Sequence, residues 1–215
     1  MMSKRNLIIG AIAVVAVLYA GLTATVVEEG KEAELTGEVV FDPTTNAQNF
    51  WKENSPKYFV DNAKDLAELF TEAGGDLTTV ASKYGHYSMG DSGELSFIVK
   101  GTGTIKNVKN KLRSGYLEIT PDGLDSNTSF RIQIGPVFKN SAVRDTISLI
   151  SYRDYKNQIE WAQVSVAFHD LILKEVITPL NIDAAMQGKR VEYVGCYTVT
   201  RPSQVLITPI TLKIE

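Results

Sequence analysis

A single cysteine, Cys196, and two histidines, His86 and His169, are all the soft metal-ligand chemistry in this 215-residue chain. One thiol excludes an internal disulfide. Without a Cys/His cluster at zinc-ligand spacing, neither a structural metal nor a metal-held cofactor is expected. Basic charge is also short: 22 basic against 25 acidic side chains leave a net −3, which becomes −5 once Lys4 and Arg5 are set aside. That balance argues against a general phosphate-binding surface and against nucleic acid as a partner. No serine stands in a GxSxG-like setting, and neither histidine has a local partner that would mark a base, so no catalytic residue is assigned. Gly101-Thr102-Gly103-Thr104 is followed by a strand pattern and a Lys/Asn-rich turn rather than a helix N-terminus, so it is no phosphate loop. Asp154 with Glu160, and Asp122 with Asp125, are the only suggestive carboxylate pairs, and their spacings suit caps and solvated faces.

What is present begins with an apolar run. Leu7 to Val27 holds no charged residue, and as a helix it would be about 30 Å long, close to the hydrocarbon thickness of a bilayer. Lys4 and Arg5 precede it while Glu28, Glu29, Glu32 and Glu34 follow, so the positive-inside rule places the N-terminus in the cytoplasm and the remainder outside. The expectation is a single-pass anchor in the cell inner membrane with an extracytoplasmic, periplasmic domain. Cleavage as a signal peptide is the competing reading, and Leu22 and Ala24 before Thr25 match a cleavage site poorly. No cysteine follows the run, so a lipoprotein-type attachment site is missing.

Residues 1–29 are therefore read as a signal-anchor or transmembrane segment, 30–42 as a spacer with a short strand, and 43–215 as one extracytoplasmic domain. The roughly 185 residues that follow the N-terminal segment suit a single domain. Within it, 43–85 reads as a small helical annex. Asp42-Pro43 opens one helix, and Phe59, Ala63, Leu66, Ala67, Leu69 and Phe70 line a second that Gly74-Gly75 stops. Residues 90–215 read as a β-core. Leu95 to Val108 is one long strand bent at Gly101 and Gly103; Tyr116 to Ile119 is a second and Phe130 to Val137 a third. Val191 to Val199 is a fourth and Leu206 to Ile214 a fifth, with Pro209 at an edge or bulge. A helix over 152–178 lies between strands three and four, with Tyr152, Tyr155, Ile159, Ala162 and Val166 recurring at helical steps and Val164, Phe168, Leu171 and Ile172 widening the stripe into one broad buried face. The fold class is α+β: an N-terminal transmembrane helix, the annex, then a five-stranded OB-like barrel or a twisted antiparallel sheet. In a barrel of that type the ligand face would lie near Tyr116 to Thr120 and Arg131 to Gln133.

Gly135-Pro136, Arg144-Asp145 and Asn157-Gln158 are polar or special residues set among apolar ones, and a buried bracing network is the first reading, a ligand site the second. For Trp51 a core role at the end of an amphipathic helix is the first reading and ligand stacking the second. IQIGPVFKNSAVRD, RDYKNQIEWAQV, GKRVEYVGCYTV and ITPITLKI, with FDPTTNAQNFWKENSPK and FIVKGTGTIKNV, carry a resemblance from about Phe41 to the C-terminus. They resemble an uncharacterised family of predicted bacterial periplasmic lipoproteins, often encoded beside sugar ABC transporters. The resemblance implies a membrane-tethered accessory or binding protein outside the cytoplasm, with transporter components or a carbohydrate as partners and no established catalytic residues. The missing lipidated cysteine departs from that pattern. A carbohydrate-active hydrolase of the envelope is the alternative; two carboxylates in one pocket would favour it, whereas aromatics without a titratable pair would favour binding.

Overall fold

Asp42 is the first residue described by the structure, a computed structural model that covers residues 42–124 and 127–215. Its carboxylate accepts from the backbone N–H groups of Thr44 and Thr45 at 2.9 and 3.2 Å, and Pro43, which needs no donor there, opens α1 (Pro43–Asn54). The anticipated second helix is in fact two, α2 (Lys57–Asn62) and α3 (Leu66–Ala73). Ala63 turns extended, Lys64–Asp65 form a two-residue strand, β1, and Asp65 then caps the next helix by accepting from Glu68 N at 3.0 Å. The interruption has a tertiary cause, because β1 pairs in parallel with Val99 and Lys100 of the sheet. Asp76 caps a short 3₁₀ turn, Leu77–Val80, followed by α4 (Ala81–Tyr84) and β2 (Gly85–Tyr87). Because β1 and β2 both pair with the long strand, the annex is joined to the sheet through backbone hydrogen bonds.

That long strand, β3, runs from Leu95 to Lys109. Then come β4 (Tyr116–Pro121), β5 (Ser129–Gln133), the single turn α5 (Ala142–Asp145), α6 (Gln158–Ile172), β6 (Arg190–Thr198) and β7 (Gln204–Ile214). β3 serves two neighbours in succession: Ser96 to Thr104 lie opposite β6 and Gly103 to Lys109 opposite β4. β4 continues to β5, β5 pairs in parallel with β7, and β7 returns to β6, so the pairings run around a ring of five strands. Gly101 permits the change of direction. A Cβ there would sit 2.8 Å from the Tyr193 hydroxyl on the neighbouring strand, so the tyrosine ring takes the place of the missing side chain. Pro209 lies where the β6–β7 register shifts, as a residue without an N–H should.

The period of two decides what is inside. Leu117 and Ile132, Ile119 and Phe130, Phe130 and Val205, and Ile132 and Ile207 are direct cross-strand partners, and all are buried. Tyr116, Glu118, Ser129, Arg131, Gln204 and Leu206 alternate with them and form the outer face. A second cluster joins α1 to α6, with Phe50 against Phe168 and Phe59 in edge-to-face contacts at 5.8 and 6.3 Å. Each such ring contributes roughly 1.5–3 kcal/mol by leaving water.

The helix expected over 152–178 is shorter, and of its anticipated broad face the part with Val164, Phe168 and Ile172 is buried while the rest is not. Ser151 and Asp154 form a reciprocal capping box, but it encloses only a 3₁₀ turn, Tyr152–Asp154. The chain then extends, and Asn157 caps α6 afresh by accepting from Ile159 N and Glu160 N. Beyond Ile172 the chain passes through a π turn, Leu173–Ile177, into the 3₁₀ turn Thr178–Leu180. The buried face is Trp161, Val164, Ala167, Phe168 and Ile172, while Ile159 is 69% and Val166 56% exposed. The stripe through Ile159, Ala162 and Val166 thus points outward, because Trp161 and Phe168 outweigh it in apolar area. The apolar run Leu7 to Val27 and the short strand expected at 38–41 fall outside the described residues. Among the described residues no helix is long and apolar enough to cross a membrane.

Candidate functional site

Arg144 and Asp145 occupy the last turn of α5 with side chains only 8% and 1% exposed. Nε and Nη2 of the arginine both donate to Asp145 Oδ1, at 2.8 and 2.6 Å, and Nη1 donates to the Trp161 carbonyl at 2.8 Å. The guanidinium lies 4.1 Å from the centre of the Trp161 ring, a cation–π contact made strong by desolvation. Spending two donors on one oxygen leaves Asp145 Oδ2 buried with no hydrogen-bond partner among the described residues. Burial pushes the Asp145 carboxyl up to about 6; Arg144 opposes the shift and Glu94 adds slightly to it. The pair lines a cleft of about 270 Å³ with His86, Tyr87, Tyr152 and Trp161 on its walls. Desolvation lowers the pKa of His86. Glu94 is exposed and does not line the cleft, so Asp145 is its one carboxylate among the described residues.

A larger depression, about 510 Å³, lies on the outer face of β4, β5 and β7. Tyr116 stands opposite Gln133, and Ser129 opposite Gln204. The Arg131 guanidinium rests 4.3 Å from the Tyr116 ring centre. Lys139 enters from the loop after β5 and Arg201 with Ser203 from the β6–β7 turn, while Ser114 closes the end near the β3–β4 loop. Gln133 is a positioning residue here. Its Oε1 accepts from Lys139 N at 2.7 Å, and its Nε2 donates to Lys139 O and to Thr208 Oγ1. The groove walls therefore carry three cations and no carboxylate among the described residues.

Residues 12–213 match the family described as "Predicted periplasmic lipoprotein (DUF2291)". The chain belongs to this family. Its members are extracytoplasmic proteins of unknown function, and this chain takes that location from them. Their description as lipoproteins meets no available thiol in this sequence, because Cys196 lies wholly buried in β6 with its pKa pushed up to about 12 by burial. No functionally curated protein matches the sequence. Among solved structures, an OB-fold protein from Thermotoga maritima MSB8 is similar with a TM-score of 0.62 at 14% identity, over 82% of this chain and 100% of that one. The likeness is one of fold.

For this family member the residues singled out in sequence take different places in the fold. Arg144 and Asp145 are buried and paired as expected, and they line a cleft. Asn157 and Gln158 are exposed, Asn157 as a helix cap, so they do not brace the pair; flanking apolar residues gave a misleading impression of burial because the helix begins there. Gly135 is buried while Pro136 is exposed. Gly135 N and Ile134 N both donate to Gly115 O, and a Cβ on Gly135 would lie 2.0 Å from Gly115 N. Trp51 takes the core position: it is 9% exposed and its Nε1 donates to Glu175 Oε2 at 2.7 Å, fastening α1 to the π turn that follows α6. The suggestive carboxylates are caps and ties. Asp154 accepts from Ser151 N, Glu160 from Lys156 N, and Asp122 pairs with Arg190 and Thr102, which together hold its pKa down to about 2; Asp125 lies outside the described residues. Sequence reasoning missed Lys139, Arg201 and Ser203, since residues in turns acquire a common site only when the strands align. It also missed His169, which stacks on Phe138 at 5.1 Å, its pKa lowered to about 4 by burial and by the Arg144 charge.

Proposed function

We propose that this chain is a membrane-tethered accessory protein that binds a solute outside the cytoplasm without transforming it. A solute transporter is its working partner, with the sugar ABC class implied by the family resemblance. We also read the ring of five strands as a closed OB-type barrel, whose outer face over β4 and β5 is the ligand side. One observation carries the binding reading: the groove offers three cations, hydroxyls and an amide and, among the described residues, no carboxylate pair that could run acid–base chemistry. Full-length protein in lipid nanodiscs, titrated with a panel of neutral and acidic sugars, tests it. Saturable binding with the sugar recovered chemically intact is the expected outcome; a changed sugar defeats the reading.

A second reading, an envelope carbohydrate hydrolase, is favoured by the Asp145 carboxyl, whose raised pKa of about 6 suits a general acid. Against it, among the described residues the cleft has no second carboxylate to act as base or nucleophile. Hydrolysis that disappears in Asp145→Asn would establish the enzyme.

A further inference from the structure

We propose that the groove on β4, β5 and β7 is specific for an acidic polyol, a sugar bearing a carboxylate or phosphate; the inference rests on the binding function above and names its ligand class. The chain is acidic overall, yet Arg131, Lys139 and Arg201 all line this groove, and none has a carboxylate within ion-pair distance among the described residues. The nearest candidate is Glu118, directly opposite Arg131 in register, but its carboxylate lies 3.8 Å from Lys106 and lines a different depression. The Arg131 guanidinium lies over the Tyr116 ring, and its Nε is buried without a partner among the described residues, as is the Oγ of Ser129, two positions earlier on β5. Among the described residues no carboxylate satisfies Arg131, Lys139 or Arg201, so this groove presents cationic donors that an anionic ligand would neutralise. A guanidinium offers paired N–H donors to an oxyanion, which a neutral sugar does not exploit.

The rest of the lining selects the ligand's body. Ser114, Ser203 and Gln204 provide donors and acceptors for hydroxyl groups, and Leu206 provides an apolar patch for a ring face. The volume, about 510 Å³, is within the range of roughly 300–1,000 Å³ that holds small molecules. Single-stranded nucleic acid shares the oxyanion chemistry but depends on open aromatic platforms. Tyr116 is the one aromatic ring in the groove lining, and Arg131 covers it.

Full-length protein in nanodiscs of neutral lipid is titrated calorimetrically with glucuronate, glucose 6-phosphate, glucose, inorganic phosphate and oligothymidylate. At least one of the two sugar acids should bind about tenfold or more tightly than glucose and than inorganic phosphate. Arg201→Gln and Lys139→Gln, both at exposed positions, should each weaken that binding by about tenfold without moving the unfolding temperature. Glucose binding as tightly as the acids overturns the ligand class while the binding function stands. Equal affinity for inorganic phosphate, tighter retention of oligothymidylate, or no response to either sugar acid also overturns it. Failure of the binding function itself is recognised separately, by chemical conversion of the sugar.

Discussion

Asp145 and Arg144 define the most costly single-residue change. Removing the carboxylate leaves a guanidinium buried with one carbonyl acceptor and no counter-charge. Asp145→Ala is therefore expected to destabilise by about 3 kcal/mol or more, read as a drop in melting temperature. His169 supplies a pH signature. Its folded pKa, about 4, lies below the unfolded value, so between about pH 4 and 6.5 the unfolded chain binds a proton that the folded chain refuses. Stability from this residue is present above that window and is lost as pH falls through it. Asp145, raised to about 6, works in the opposite direction, losing its contribution as pH rises from its unfolded value through 6, so wild-type stability masks both groups. Comparing wild type with His169→Phe isolates the histidine. Denaturant midpoints at half-unit steps should show wild type gaining on the variant by about 1 kcal/mol per pH unit from 4 to 6.5, then levelling. A constant difference would mean the histidine titrates normally.

At the scale of elements, the contact between Gly135 and Gly115 locks the exit of β5 onto the entry of β4. Gly135→Ala places a methyl group against backbone rather than against a mobile side chain, so relief requires breaking the two bonds to Gly115 O. A loss of about 2–4 kcal/mol is expected in equilibrium unfolding, with Pro136→Ala, at an exposed position, within about 0.5 kcal/mol of wild type. The orientation of α6 makes a sharper contrast. Phe168→Ala should cost about 3–5 kcal/mol, whereas Ile159→Lys, on the outward face, should change stability by no more than about 0.5 kcal/mol. Equal costs would reverse the orientation of the helix.

For the whole molecule, an acidic chain outside the cytoplasm concentrates three cations in one groove, so net charge describes its solubility and the groove describes its selectivity. Membrane attachment is tested in intact spheroplasts treated with proteinase. The domain from Asp42 onward should be digested from outside, and without proteinase it should sediment with membranes. Protection of the domain would reverse the topology, and a soluble fragment beginning near Thr25 would show cleavage in place of anchoring.

Local chemistry carried much of the architecture in readable form. The alternation in Tyr116 to Ile119 encodes one buried face, whereas Leu95 to Val99 and Tyr193 to Thr198 are buried on both faces, and Asp42-Pro43, Gly74 and Ser151 with Asp154 encode caps that need only neighbouring residues. Arg144-Asp145 was legible too, because charge between Val143 and Ile147 demands pairing once it is buried. Long-range competition decided the rest. Both faces of α6 offer apolar residues, and only packing against Phe50 selects the one bearing Phe168. The break at Lys64–Asp65 exists because β3 offers unpaired backbone groups there. The groove brings together Arg131, Lys139 and Arg201 through a parallel β5–β7 pairing between strands roughly 75 residues apart, a proximity set by strand register that no local sequence signal records.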